Sequence, residues 1–315
     1  MATIDAYPRD MIGYAGAPPH PRWPGNARVA VNFVLNVEEG SETSVLHGDG
    51  RNESGLSEVV GGRHPAGERD LGLESLYEYG SRAGVWRILK LFRDRDLPFT
   101  VYACAQALER NPVSTRALAE AGCDFAGHGW RWINHYELTE QQERDHIARA
   151  VESIERLTGA PPAGWYCRYA PSPRTRRLLI EHGGFLYDSD SYADDLPYWV
   201  EAEGRPHLVI PYALDTNDVK FGAPSSYGSG EDFFRHLVDS FDQLYEEGGE
   251  APKMLSVGLH QRLVGRPGRA RALARFLDHV AAHDGAWVCR RIDIARHWHA
   301  THPPAVHTPA EPRAR

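Results

Sequence analysis

An α/β fold built on a parallel, barrel-like sheet is predicted by three features of this 315-residue chain. Short apolar runs rich in β-branched and aromatic residues recur along it, about eight of them, as buried strands do. Between them lie stretches with apolar residues at three- and four-residue spacing, the mark of helices with one buried face. No self-similarity with a period of about 20–50 residues is visible, so solenoids and propellers are excluded.

The apolar runs 27–37, 98–105, 123–128, 164–169, 184–190, 207–212, 254–260 and 286–290 read as strands. Helices are expected at 76–92, where Val85, Leu89 and Phe92 share a face, and at 139–157, where Ile147, Val151, Ile154 and Leu157 do. Thr139 with Gln142 three places later has the form of a capping box. Further helices are expected at 172–181, 231–245 and 268–280. Strands alternating with helices point to a parallel barrel. Residues 38–75 and 190–230 show no period and are expected to be loops that shape a site.

Residues 1–26 hold Pro8, Pro18, Pro19, Pro21 and Pro24 and read as an irregular arm. Residues 27–299 read as one domain, and the proline-rich 300–315 as a disordered tail. Of the chain, 42% is hydrophobic and 25% charged, enough apolar bulk for a packed core. The net charge of −8 argues against nucleic acid and anionic membranes as partners. The start has neither a basic nor an apolar targeting segment, and no apolar run is long enough to span a bilayer. Cys104, Cys123, Cys167 and Cys289 form no C-x-x-C pair, so a reducing cytoplasm is the expected home.

In a parallel barrel, catalytic groups sit just past the carboxyl ends of the strands. There the apolar runs end in Glu38 and Glu39, His128, Arg168, Asp188 and Asp190, and His260. Two acid pairs, two histidines and an arginine on one rim suit acid–base chemistry. Trp132, Trp165 and Trp199 are candidates for the apolar wall of a small pocket. His47 and His64 lie in the first long insertion, and His297, His299, His302 and His307 near the end; none is assigned a role.

Glu38-Glu39-Gly40 after the first strand, His128, Arg168 with Pro171, Asp188-Ser189-Asp190, and Leu255 to His260 together resemble the polysaccharide deacetylase superfamily. The resemblance implies a distorted, incomplete (β/α) barrel and, ordinarily, a zinc ion held by an aspartate and a His-x-x-x-His pair. This chain departs from that pattern. Glu39 stands for the metal-binding aspartate, and His128 is followed by Trp132, which cannot bind a metal. His135 lies seven residues after His128, about two turns if that stretch is helical.

Those departures, with stretches such as YPRDMIGY (7–14), SLYEYGSRAGVWR (75–87) and GGFLYDSDSYADDLPYW (183–199), resemble the metal-independent allantoinases of bacterial purine degradation. This implies a cytoplasmic homotetramer that opens a cyclic ureide, allantoin to allantoate, with no metal and no cofactor. Residues 165–176, WYCRYAPSPRTR, differ from that branch, with Cys167 and Arg168 in the divergent loop. A related cyclic imide, a hydantoin or another small amide is therefore an alternative substrate. A metal-dependent deacetylase using Glu39, His128 and His135, and a barrel without catalysis, are the rival readings.

Ring-amide hydrolysis needs an activated water, a donor to the oxyanion and an acid for the leaving nitrogen. Glu38 or Glu39 is assigned the first task, and His128 and His260 the other two. Neighbouring strand residues face opposite ways, so one glutamate alone faces the substrate. Arg168 can donate two bonds to a carbonyl or pair with Asp188 or Asp190, and Asp190 can orient His260.

Overall fold

The computed structural model describes residues 8–55, 58, 65, 67–169, 171–222 and 226–304. His64, His307 and most of the expected tail lie outside them. Its architecture is an α/β half-barrel: a curled sheet with helices on its outer side. The long strand β1 (Val29–Val37) is buried at every position because it is apolar on both faces. The rest of the parallel sheet comprises β2 (Thr100–Ala103), β3 (Asp124–Gly127), β4 (Gly164–Trp165), β5 (Tyr187–Asp188), β7 (Arg205–Val209), β8 (Lys253–His260) and β9 (Ala286–Cys289). An antiparallel strand, β6 (Tyr198–Ala202), closes one edge. The order is β6-β7-β5-β4-β3-β2-β1-β8, with β9 also on β1.

Strand β1 uses both edges. One pairs along residues 29–36 with β8; the other pairs with β9 at 29–32 and with β2 at 34–37. Eight expected strands are present. β6 was not expected, because it lies within the aperiodic stretch 190–230 and is only half-buried, as an edge strand can be. Between β6 and β7, Glu203 and Gly204 both take positive φ, the two-residue turn that matches strand twist.

Helices α1 (Leu71–Tyr79) and α2 (Val85–Arg93) are joined by a π-helical turn, Gly80–Gly84. The helix expected at 76–92 covers all of this rod but residues 71–75 and its last residue. Helices α3 (Ala105–Arg110) and α4 (Pro112–Glu120) are short, and Asn111 accepts from the Ser114 N–H to start α4. Helices α5 (Glu140–Thr158), α6 (Thr175–His182), α7 (Gly230–Glu247) and α8 (Pro267–Ala281) fall where the spacing predicts them, and Thr139 and Gln142 make the reciprocal cap. Helix α9 (Arg291–Thr301) runs past the expected end of the domain at 299. His297, His299 and His302 bond the carbonyls of Pro21, Leu186 and His20, so they fasten the last helix to the arm and the sheet.

Arg291 is fully buried among strands. Its guanidinium donates to Asn32 at 2.7 Å, to Ser256 at 3.0 Å, to Ser189 at 2.9 Å and to the carbonyls of Ile210 and Pro211. It gathers β1, β8 and the segments after β5 and β7 around one cation. Arg291→Leu keeps the bulk but strands these acceptors, so chemical denaturation should show a loss of about 3 kcal/mol or more.

Candidate active site

Sequence places Glu38 and Glu39 one residue apart just past β1, and the pleat sends them different ways. Glu38 lines a small cavity of about 30 Å³ with Asn36, His128, Trp132, Tyr166, Arg168, Tyr212 and His260 among its walls. Glu39 turns away from it. Its carboxylate accepts from the backbone N–H of Glu38 and of Arg262, beneath the helix rod. Gly80 in the π-turn permits that approach, since a Cβ there would lie 2.6 Å from Glu39 Oε1 and 2.9 Å from the Arg262 nitrogen.

At the centre is the Glu38 carboxylate. Its Oε1 lies 3.3 Å from His128 Nε2 and 3.4 Å from His260 Nε2, and its Oε2 accepts from Arg262 Nη1 at 2.8 Å. The same Nη1 reaches Glu39 Oε1 at 3.4 Å. Burial works to raise the Glu38 carboxyl, but His260, Arg262 and the two imidazole contacts outweigh it and hold the group well below the carboxylate range. Burial raises Glu39, against the pull of Arg262, and the charge of Glu38 adds to the rise.

The two imidazoles are oriented differently. His128 lies just past β3, and its Nδ1 meets the Tyr166 carbonyl at 2.7 Å, so the Nδ1 carries a proton. Its Nε2 is the nitrogen that faces Glu38. Its ring is stacked on Tyr166, with centroids 5.3 Å apart and planes 7° from parallel. His260 ends β8, and its Nδ1 bonds Asp218 Oδ1 at 2.6 Å, while Asp218 Oδ2 accepts from the backbone of His260 and Val264. Burial opposes protonation of His260, but Glu38 and Asp218 overcome it and lift it to about 9. At neutral pH His260 is an imidazolium.

Of the other expected residues, Trp132 and Arg168 line the cavity. Arg168 stacks on the Trp132 ring at 3.7 Å, donates to its carbonyl at 3.0 Å and pairs with Glu53 at 2.7 Å. It pairs with neither Asp188 nor Asp190, because Glu53 in the first insertion folds over it. Asp188 instead binds Arg176 at 2.6 Å and His207 at 3.1 Å. Asp190 accepts from the Cys167 N–H at 2.7 Å, and burial together with the Asp188 charge raises it. His260 is oriented by Asp218, not by Asp190.

Cys167 and Trp165 are fully buried and joined, indole N–H to sulfur, at 3.2 Å, behind the cavity instead of along it. Trp199 bonds the His302 carbonyl and also lies elsewhere. The segment after His128 is not a helix. His135 therefore does not share a face with it; it bonds Cys167 at 3.3 Å and faces Glu143 at 3.7 Å.

Asp218 and Arg262 were not found in the sequence. Asp218 lies in the aperiodic loop before α7. Arg262 had one signal, an arginine two residues after a strand-end histidine. Its guanidinium lies between the two glutamates and over the rings of Tyr77 and Trp132, at 4.5 and 5.2 Å. A divalent ion held by this acid pair and His128 would have to share that volume with a permanent cation. The donor set does not fit one.

The fold agrees with known proteins. A family model described as polysaccharide deacetylase matches residues 73–186. A Schizosaccharomyces pombe protein named "Putative polysaccharide deacetylase" is 41% identical over 94% of this chain and 98% of its own. The chain belongs to the polysaccharide deacetylase family. It is a hydrolase of that superfamily. Among solved structures of the family, Puue allantoinase is 56% identical, covering 94% of this chain and 99% of that one, with a TM-score of 0.91. A Helicobacter pylori peptidoglycan deacetylase is 28% identical over 67% of this chain and 82% of its own. Among the described residues of this family member, no helix is long and apolar enough to cross a membrane.

Asp218→Asn removes the charge that supports the His260 imidazolium and weakens two backbone anchors. An NMR titration should place His260 about one pH unit or more lower. Denaturation should show a loss of about 1.5–3 kcal/mol.

Proposed function

We propose that the protein hydrolyses a small cyclic amide, allantoin to allantoate, with organic side chains alone. The observation that carries this reading is the convergence of two imidazoles of opposite role on one buried carboxylate, with a guanidinium where a divalent ion would be needed. The 56% identity to Puue allantoinase supports the substrate.

In the proposed sequence, a water bonded to His128 Nε2 gives it a proton as the oxygen adds to the ring carbonyl carbon. The new imidazolium is stabilised by Glu38 at 3.3 Å. This assigns proton removal to His128, since a carboxylate held at so low a pKa is a weak base. The His260 Nε2–H faces the developing oxyanion and then passes its proton to the nitrogen as the C–N bond breaks. Water is consumed and the ring opens to a carboxylic acid, which loses its proton to solvent as the carboxylate, and the proton taken by His128 passes back to His260 to restore the resting state. Arg168, on the cavity wall, provides a donor for a ring carbonyl.

Ring opening of allantoin should persist at full rate after exhaustive EDTA treatment, followed by allantoate release. Loss of activity restored by zinc would refute the reading and favour a metal-dependent deacetylase. His128→Ala should lower kcat about 10²–10⁴-fold. Because the His260 proton is required, and its folded pKa is raised, activity should be present at neutral pH and fall as the pH rises through about 9.

A further inference from the structure

Far from the rim, Asp242 on α7 meets His279 and His283 of α8 and the turn that follows it. One donor atom from each lies within 4.8 Å of the other two. Among the described residues, no other group of three such side chains converges in this way. His279 lies in the last turn of α8 and His283 just past its end, with the two rings 4.8 Å apart between centroids. We propose that these three residues form a binding site for a divalent transition metal of the zinc and nickel class, clamping α7 to α8.

Three features support a built site. His279 Nε2 bonds Asp242 Oδ1 at 2.7 Å, so a separation of less than ~1 Å would open the ~3.4 Å edge between two ligands of a tetrahedral ion. His283 Nδ1 bonds the His279 carbonyl at 2.8 Å, which fixes its tautomer and leaves the other nitrogen bare; metal-binding histidines are commonly held this way. Phe241 and Tyr245 pack against the His283 ring, each 5.0 Å between centroids, and limit its rotation. An ion pair between Asp242 and His279 accounts for two of the residues but gives no reason for the third.

Two imidazoles and one carboxylate suit zinc or nickel better than calcium or magnesium, and solvent can complete the coordination. The Asp242 side chain is 52% exposed and that of His279 26%, so an ion has access. Helix α8 starts just after the segment that follows His260 and runs 15 residues back, about 22 Å. The site therefore lies toward the amino ends of the strands, where a bound ion would serve stability, not chemistry.

The test is zinc chloride titrated into the intact, EDTA-treated protein by calorimetry, with thermal unfolding alongside. Saturable binding of one zinc per chain is expected. At about 100-fold excess over the Kd the unfolding midpoint should rise by about 4 °C or more. His283→Gln and Asp242→Asn should each weaken binding at least tenfold while unfolding near the zinc-free wild-type midpoint. Absence of saturable binding, or binding undiminished in the double variant, would overturn the proposal.

Discussion

A carboxylate without access to bulk water has to be matched by positive charge, and that constraint organises this molecule around Glu38. Leaving it unpaired would cost several kcal/mol, more than a marginally stable fold can lose at one position. Arg262 supplies a permanent cation and His260 a conditional one, which Asp218 in turn supports. The charges are settled in the resting protein by protonation of His260. The second imidazole is tied at Nδ1 to the Tyr166 carbonyl and turns its Nε2 toward the same carboxylate. One buried carboxylate thus gathers two imidazoles that are held by different partners, Asp218 for His260 and the Tyr166 carbonyl for His128.

The backbone supports this arrangement by bringing the charges from distant parts of the chain. β1 delivers the glutamates and β8 delivers His260 and Arg262, in register along almost the whole length of β1. β3 brings His128 from the other side. The helix rod of α1 and α2 closes over Glu39 and Arg262, and its π-turn places glycines where a side chain would strike them. On the outside, Glu53 reaches Arg168 from the first insertion, so the loop that was expected to shape the site does so by covering its guanidinium.

Strand and helix alternation was legible because it depends on local apolar spacing, and the rim residues followed from where the apolar runs stop. That reasoning named Glu38, His128, His260 and Arg168, which line one cavity; Trp132, beside them, was named as an aromatic wall. It could not decide between Glu38 and Glu39, since their contrast comes from Arg262 and the helix packed above. It also missed Asp218, whose role depends on a loop folding back by 42 residues to His260. Trp165 and Cys167 had the right position in the sequence for the site, yet their side chains take the core side of the sheet. The edge strand β6 was obscured by its half-polar composition. Short helices such as α3 carry too few turns to show a period.

The shared edge of β1 has a consequence for synthesis on the ribosome. The first strand of the sheet emerges early, but its amino-terminal half has partners only in β8 and β9, more than two hundred residues later. Until those strands appear, an apolar ribbon can pair only at its far end with β2. Nascent chains of this protein must carry that exposed ribbon through most of translation, which makes it a natural target for chaperones that bind extended apolar segments.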